Sequence, residues 1–242
     1  MSLENQRPRE GAMERIENYI LENQLKQDDR LPSERAMCKM WNYNRATLRS
    51  AIKQLTLEGK LYSKTGSGTY VAKEKLIRNL QDTNGFYDTV VKMNRKVSTE
   101  VIDVSFCETS KNIGQKMRLP LGHKLLRLTR LRYLDDIPVI YETTHLDAER
   151  FEGLEDYDFA RLSLYHILKE HYKVNILEGS EKLSIAYCDE QEARYLKVEQ
   201  GAPVIYQSGV TIDDANTVLE CFKSLTNAEY IRFASELTRT QG

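Results

Sequence analysis

Basic side chains recur at helical spacing within one short stretch of the chain. Arg45, Arg49 and Lys53 lie four residues apart, so a helix here would carry them as one cationic stripe. The apolar residues of the same stretch fall on another face, at i, i+3, i+4 and i+7: Leu48, Ala51, Ile52 and Leu55. Because one face can pack while the other meets phosphates, this pattern predicts a helix that lies in the major groove of DNA.

Two further arginines alternate along a predicted strand. In residues 124–134, Arg130 and Arg132 share one face with three leucines. If that face is the inner one, both guanidiniums need anionic partners, because a buried unpaired charge is costly. Neighbouring positions on one face lie about 7 Å apart, so both side chains could bind one phosphate or carboxylate.

A carboxylate on the next predicted strand leaves a second interpretation open. Glu142 lies among apolar neighbours, and whether it faces Arg130 and Arg132 depends on the register of the hairpin, which the sequence does not fix. The alternative to an anion site is therefore an internal ion-pair network of these three residues, or an exposed sheet face.

The cationic helix needs neighbours that hold it in place. A first helix is predicted over residues 10–25, and Ser33 is a plausible N-cap for a second helix. This second helix should bury four residues: Ala36, Met37, Met40 and Trp41. Asn44 is the predicted N-cap of the cationic helix, because its side-chain oxygen can accept a hydrogen bond from the first turn.

A two-stranded hairpin is predicted directly after the cationic helix. Its strands cover residues 60–64 and 69–71, around the turn Thr65-Gly66-Ser67-Gly68. Glycine in such a turn lets the backbone come close to a phosphate or to the floor of the minor groove.

Residues 31–71 resemble the winged helix-turn-helix of GntR-type bacterial transcriptional regulators. The shared pattern runs LPSER, R-x-T-L-R, L-x-x-E-G and G-x-G-T-Y-V, in order and at family spacing. The resemblance implies that arginines contact bases or phosphates, that Thr47 lies beside them, and that Gly66 is the wing tip. The expected DNA-binding set is Arg35, Asn44, Arg45, Thr47, Arg49, Thr65 and Gly66.

Charge is divided unevenly along the chain. Residues 1–73 carry 13 lysines and arginines against 9 aspartates and glutamates, while the rest carries 22 against 27. A basic N-terminal segment followed by an acidic remainder fits a DNA-binding domain joined to a sensor domain. The scattered cysteines and histidines have no metal-ligand spacing, and no phosphate loop or dinucleotide motif is present. We therefore expect a cytoplasmic protein with neither metal nor cofactor and no membrane partner.

The chain is predicted to have two domains of α+β class. Residues 1–72 form the winged domain, 73–84 a polar linker, and 85–242 a meandering antiparallel sheet with flanking helices. Residues 85–237 resemble the UTRA effector-binding domain of the HutC subfamily, on R-L-R-Y at 130–133, D-x-x-P-x-x-x-E at 135–142 and S-L-Y at 163–165. At fold level the UTRA domain is similar to the chorismate lyases.

The UTRA resemblance implies an effector site. In phosphosugar-responsive members, two arginines with the serine and tyrosine of S-L-Y hold the anion, and two glutamates bind sugar hydroxyls or an amine. A serine at a helix N-terminus is suited to this task, because free N–H groups there favour an anion. The matching residues are Arg130, Arg132, Glu142, Ser163, Tyr165 and Glu220.

These patterns predict a homodimeric, ligand-responsive regulator that binds double-stranded operator DNA. We expect a repressor of carbohydrate or amino-sugar genes that is released by a sugar phosphate through a population shift. One alternative is a sensor of a non-phosphorylated acid, such as an amino-acid catabolite. Others are a lyase-like enzyme fused to a DNA-binding head, disfavoured because no acid/base pair is evident, and a constitutive DNA-binding protein with a degenerate pocket.

Overall fold

The structure is a computed structural model that describes residues 8–73, 75–80 and 86–235. It contains two compact units, Met1–Lys75 and Leu76–Gly242. In the first unit the helices are α1 Pro8–Glu22, α2 Glu34–Trp41 and α3 Arg45–Leu57. Both predicted N-caps are present, since Ser33 Oγ accepts from the Ala36 N–H at 3.2 Å and Asn44 Oδ1 from the Thr47 N–H at 2.8 Å.

The predicted apolar stripe of α3 forms the centre of the first unit. All four residues predicted for that stripe are buried and pack with Ala12, Ile16, Leu31, Met37 and Leu61. The prediction for α2 is wrong for Ala36 and Met40, which are exposed. The core contacts α2 along the side of Met37, Cys38 and Trp41, so Ala36 and Met40 lie beyond its border.

The predicted hairpin follows α3. Strands β1 Leu61–Lys64 and β2 Gly68–Val71 pair antiparallel, with Lys64 opposite Gly68. The rings of Tyr62 and Tyr70 stack at 5.4 Å between centroids. The Tyr62 hydroxyl donates to Asp28 Oδ1 at 2.6 Å, which connects the hairpin to the loop after α1.

The predicted linker over residues 73–84 is wrong for part of its length. Strand β3 covers Leu76–Asn79 and belongs to the second unit. It pairs in parallel with the last strand, Ile231–Ala234, so that Leu76 and Ile231 are both buried in one apolar cluster. The segment looks polar in the sequence, but it forms a strand because it pairs with residues from the far end of the chain. Residues 74 and 81–84 of the predicted linker lie outside the described part.

The second unit is built on a six-stranded antiparallel sheet, as predicted. Its strands in chain order are β4 Val97–Glu108, β5 Lys124–Leu134, β6 Ile137–Asp147, β7 Ile176–Tyr187, β8 Pro203–Asp213 and β9 Val218–Thr226. Their order in the sheet is β4-β5-β6-β9-β8-β7, and the strand Ile231–Ala234 is β10. The short hairpin turn between β5 and β6 uses Asp135 and Asp136, both at positive φ.

Helices cover both faces of this sheet. They are α4 Phe86–Lys92, α5 Lys111–Met117, α6 Leu164–Tyr172 and α7 Glu190–Leu196, with a 3₁₀ turn at Leu154–Asp156. Leucines of β5 and β6 pack with Ile167 and Leu168 of α6 in the largest cluster. On the opposite face, Leu131 and Leu225 pack with Leu196 of α7, whose predicted capping box is formed by Asp189 and Glu192. No described helix is long and apolar enough to span a membrane.

Candidate DNA-binding surface and effector cavity

The cationic stripe of α3 lies on the protein surface. The side chains of Arg45 and Arg49 are 75% and 66% exposed, and Lys53 is exposed beside them. The apolar residues of α3 hold the opposite side in the core, so the helix can present these cations without losing its packing. The geometry therefore agrees with the predicted stripe, and contact with DNA stays a prediction.

Glu34, which was not predicted as part of this surface, lies between the two arginines. Its Oε2 is 3.5 Å from Arg45 Nε and 3.2 Å from Arg49 Nε. One carboxylate shared by two guanidiniums leaves the group with a net positive charge. Ion pairs between side chains as exposed as these contribute little to stability. We therefore regard Glu34 as a residue that orients the two guanidiniums more than it neutralises their charge. The spacing from Glu34 to Arg49 spans a helix break, which is why the sequence did not reveal the contact.

The other predicted DNA-binding residues lie on the same unit. Arg35 is exposed on α2, and Thr47 is half-buried in the first turn of α3, where its N–H is engaged by Asn44. Thr65 and Gly66 are exposed at the turn of the hairpin, and Gly66 has φ +73° with open space around it. This positive φ favours glycine at the tip.

In the second unit, the register of the β5–β6 hairpin determines whether Glu142 faces Arg130 and Arg132, which the sequence did not fix. Arg130 is directly opposite Glu142, so the carboxylate faces the arginines. Arg132 donates to Glu142 Oε1 from Nε at 3.0 Å and from Nη2 at 2.8 Å, and Arg130 Nη2 contacts the same oxygen. The ion-pair network considered from the sequence is therefore present, with one carboxylate between two guanidiniums.

This network leaves Arg130 unsatisfied. The residue is only 3% exposed, and its Nε and Nη1 have no hydrogen-bond partner among the described residues. Burial, with the nearby Arg132 charge, lowers the pKa of Arg130 to about 10. Burial alone would raise the pKa of Glu142, but Arg130 and Arg132 outweigh it and lower that pKa to about 2. Both groups are thus charged near neutral pH.

A second acidic group approaches from β9. Tyr165 donates its hydroxyl proton to Glu220 Oε1, and Thr211 Oγ1 donates to the same oxygen at 3.3 Å. Burial raises the pKa of Glu220 even though these hydroxyls and Arg130 oppose the shift. Burial and the neighbouring Glu220 also raise the pKa of Tyr165 well above its ordinary value, so its hydroxyl stays a donor.

Ser163 occupies the N-cap position of α6, but its side chain makes no capping hydrogen bond. The hydroxyl lines the cavity, and the first N–H groups of α6 have no partner within the helix. A hydroxyl and a helix N-terminus together form a site where an anion is favoured.

These side chains line one cavity, which is partly open to solvent. All six predicted effector residues are brought together there. The sequence analysis missed Arg78, because β3 was taken for a linker; the other lining residues are Phe86, Tyr87, Thr144, Leu164, Phe222 and Ser224. Three arginines against Glu142 and Glu220 give the cavity an excess of positive charge. Its described residues form no group of side chains able to hold a metal ion.

Comparison with known proteins agrees with both halves. The model for bacterial regulatory proteins of the gntR family matches residues 8–71, and the UTRA domain model matches residues 92–232. The HTH-type transcriptional regulator YurK of Bacillus subtilis is 30% identical over 200 residues, which are 82% of this chain and 83% of that one.

Two further comparisons extend this result. The probable fructoselysine utilization operon transcriptional repressor of Escherichia coli is 24% identical over 206 residues, 83% of this chain and 82% of that one. The crystal structure of PhnF from Mycobacterium smegmatis is similar in fold, with a TM-score of 0.73 at 20% identity over 95% of this chain and all of that one. The chain therefore belongs to the gntR family of bacterial regulatory proteins, in the HutC-type group that joins a helix-turn-helix domain to a UTRA domain.

Proposed function

We propose that this chain represses genes of carbohydrate or amino-sugar uptake or breakdown, and that a phosphorylated sugar releases it from its operator. The observation that carries the effector part is the unpaired Nε–H and Nη1–H of buried Arg130 in a cavity that it shares with Arg132. A buried donor without a partner costs about 1–3 kcal/mol, and an anion would satisfy both.

The surroundings of Arg130 favour an anion with several oxygen atoms. Glu142 supplies one negative charge to two guanidiniums, and Ser163 with the N-terminus of α6 adds further donors. A phosphate offers enough acceptor oxygens for all of these donors, whereas a carboxylate has only two. For this reason we favour a phosphorylated ligand over the alternative of a non-phosphorylated acid. We propose binding without turnover, since these groups are suited to holding an anion.

The proposed target genes rest on relatives and not on the cavity. The similar Escherichia coli protein is named as a probable repressor of a fructoselysine utilization operon, which joins a carbohydrate substrate to repression. A cationic cavity with glutamates beside it is compatible with a sugar phosphate, because carboxylates accept hydrogen bonds from hydroxyl groups.

For DNA binding we propose that α3 enters the major groove while the wing meets the adjacent minor groove. Arg35, Arg45 and Arg49 would contact bases or phosphates, with Thr47 and Asn44 at the start of α3 and Thr65 and Gly66 at the wing tip. An operator with two half-sites requires two copies of the chain.

We propose that the second copy docks on strand β7. This strand ends the sheet, and outside the residues that line a cavity it carries the exposed apolar side chains Ile185 and Tyr187. A long apolar edge strand without a cover tends to associate, so pairing with a second copy would protect it. The oligomeric state of the wild type and of Ile185→Lys, measured by sedimentation, tests this docking. A monomeric wild type would contradict the proposal.

The experiment for the whole proposal is a titration of operator binding with sugar phosphates and with the matching unphosphorylated sugars and sugar acids. We expect sugar phosphates to weaken operator binding and to raise the thermal midpoint of the protein, while unphosphorylated sugars do neither. A response to acids alone would favour the alternative sensor. Indifference to every compound would favour the constitutive DNA-binding protein, and consumption of any compound would indicate an enzyme.

A further inference from the structure

A second cavity adjoins the effector cavity on the same side of the sheet. The two share three lining residues, Arg78, Tyr165 and Phe222. The second cavity runs along residues 176–181 of β7 and is partly open to solvent. The shared residues place the two cavities side by side, so one elongated ligand is a candidate to occupy both.

The far cavity contains a carboxylate that is held in place. Glu181 projects from β7, and its Oε2 accepts a hydrogen bond from Gln207 Nε2 at 2.9 Å. Gln207 is completely buried, and its own Oε1 accepts from Ser224, which lines the effector cavity. In the part of the chain that the structure describes, no Lys, Arg or His lies within 4 Å of the Glu181 carboxylate. The charge is thus oriented by the core and has no cation beside it.

The surface between the two charged ends is formed by Arg78 and by the rings of Tyr165 and Phe222. Phe222 lies on β9, two strands away from Glu181, and Gly209 on the strand between them is opposite both. A Cβ at Gly209 would lie 2.2 Å from the Ser180 carbonyl oxygen and 3.0 Å from Phe222 Cζ, so glycine allows β7 and β8 to pair closely and also leaves room for this ring.

Arg130 and Arg132 lie on β5, which is four strand spacings of about 4.8 Å from β7, or roughly 19 Å. The long side chains of these arginines and of Glu181 shorten the distance that a ligand has to span. A spacer of about four to eight carbon atoms would connect the two ends.

From this arrangement, which presupposes the anion site of the proposed function, we infer a two-ended effector. It is an elongated metabolite with a phosphate or carboxylate held by Arg130 and Arg132 and a protonated amine held by Glu181. Its middle lies along Phe222 and Tyr165. An ammonium group beside Glu181 forms a charge-assisted hydrogen bond on a carboxylate that Gln207 already orients.

The test uses ω-aminoalkyl phosphates of four to eight carbons, each paired with the alkyl phosphate of equal length. Binding to the full-length protein is measured by calorimetry at neutral pH, with inorganic phosphate as the reference. At the best chain length we expect the amine to tighten binding about tenfold, the effect of one charge-assisted hydrogen bond. The two compounds of each pair differ only at the end away from the phosphate, so a difference in affinity within a pair reports on the amine alone.

Two variants locate the effect. Glu181→Gln keeps an acceptor for Gln207 but removes the charge, so it should abolish the gain from the amine and leave the alkyl phosphate unchanged. Glu170→Gln, on the exposed end of α6, is the matched control for losing one negative charge. Gly179→Leu fills the far cavity: a Cβ there meets only ordinary contacts, 3.5 Å from Val210 O, so the variant should fold yet exclude long ligands.

The outcomes separate this inference from the proposed function. If alkyl phosphates bind but the amine adds nothing at any length, the two-ended effector is wrong and the anion site stands. If the gain persists in Glu181→Gln, the amine is held elsewhere and the inference is equally wrong. If no phosphate binds at all, both the inference and the proposed effector class fail.

Discussion

Replacing Arg130 with methionine separates an anion site from an internal ion pair. Methionine keeps a long unbranched side chain but removes the two buried donors that have no partner among the described residues. Glu142 retains both of its hydrogen bonds from Arg132. Each unpaired buried donor costs about 1–3 kcal/mol, which offsets the loss of the Arg130–Glu142 contact. We expect the ligand-free free energy of unfolding to change by no more than about 1 kcal/mol.

The ligand response should change far more. A ligand at 100 times its Kd stabilises the wild-type protein by about 2.7 kcal/mol. For the unit Leu76–Gly242 this corresponds to a rise in thermal midpoint of about 5–11 °C, since 1 kcal/mol shifts a domain of this size by about 2–4 °C. Losing even one of the two charge-assisted hydrogen bonds that Arg130 would donate weakens Kd about 10- to 100-fold. At the same ligand concentration the stabilisation then falls to about 0.4–1.4 kcal/mol.

The assay is thermal and denaturant unfolding with and without a sugar phosphate that shifts the wild type. Arg127→Met is the control, because Arg127 lies on the same strand but pairs with Asp103 at 3.1 Å on the other face. Its ligand response should equal that of the wild type. A loss of about 3–5 kcal/mol in ligand-free Arg130→Met, with an unchanged ligand response, is what breaking a structural ion pair would give, and it would refute the anion site.

Four other substitutions have defined outcomes. Arg45→Ala and Arg49→Ala should each weaken specific operator binding by about 1–3 kcal/mol in fluorescence anisotropy with an unchanged melting curve, because both side chains are exposed; unfolding of either variant would contradict this. Arg132→Ala should still bind operator DNA but lose its response to sugar phosphate in the same assay, and retention of the response would exclude Arg132 from the site. The lowered pKa of Glu142 stabilises the fold above its ordinary pKa of 4.5, and this contribution is lost as the pH falls toward 2. The gap in unfolding free energy between wild type and Glu142→Gln should therefore narrow over that range, and a constant gap would show that the Glu142 charge is not stabilising.

Local sequence chemistry was enough to predict much of this architecture. Cap residues such as Ser33 and Asn44 act within a single turn, and strand β5 shows its own alternation, so each could be recognised without knowing its partners. The family resemblance was likewise carried by residues that are close in sequence. The α+β fold class and the two kinds of domain were accordingly predicted correctly.

Features that depend on distant partners were not predictable in this way. Strand β3 has only four residues, and it is stabilised by a parallel partner from the end of the chain, so its Arg78 was overlooked as a cavity residue. The register that sets Arg130 against Glu142 is likewise a property of the folded hairpin. Met40 shows the same limit on α2: helical spacing indicated a buried position, but the core contacts α2 along Met37, Cys38 and Trp41 and leaves Met40 exposed.

The position of Glu34 has a consequence for the DNA complex that we propose. Glu34 accepts from both arginines through their Nε atoms, so the contact leaves the outer nitrogens of each guanidinium to DNA in the proposed complex. A guanine edge offers two aligned acceptors to such a guanidinium. Because Glu34 already orders both side chains, less side-chain entropy is lost when the duplex binds.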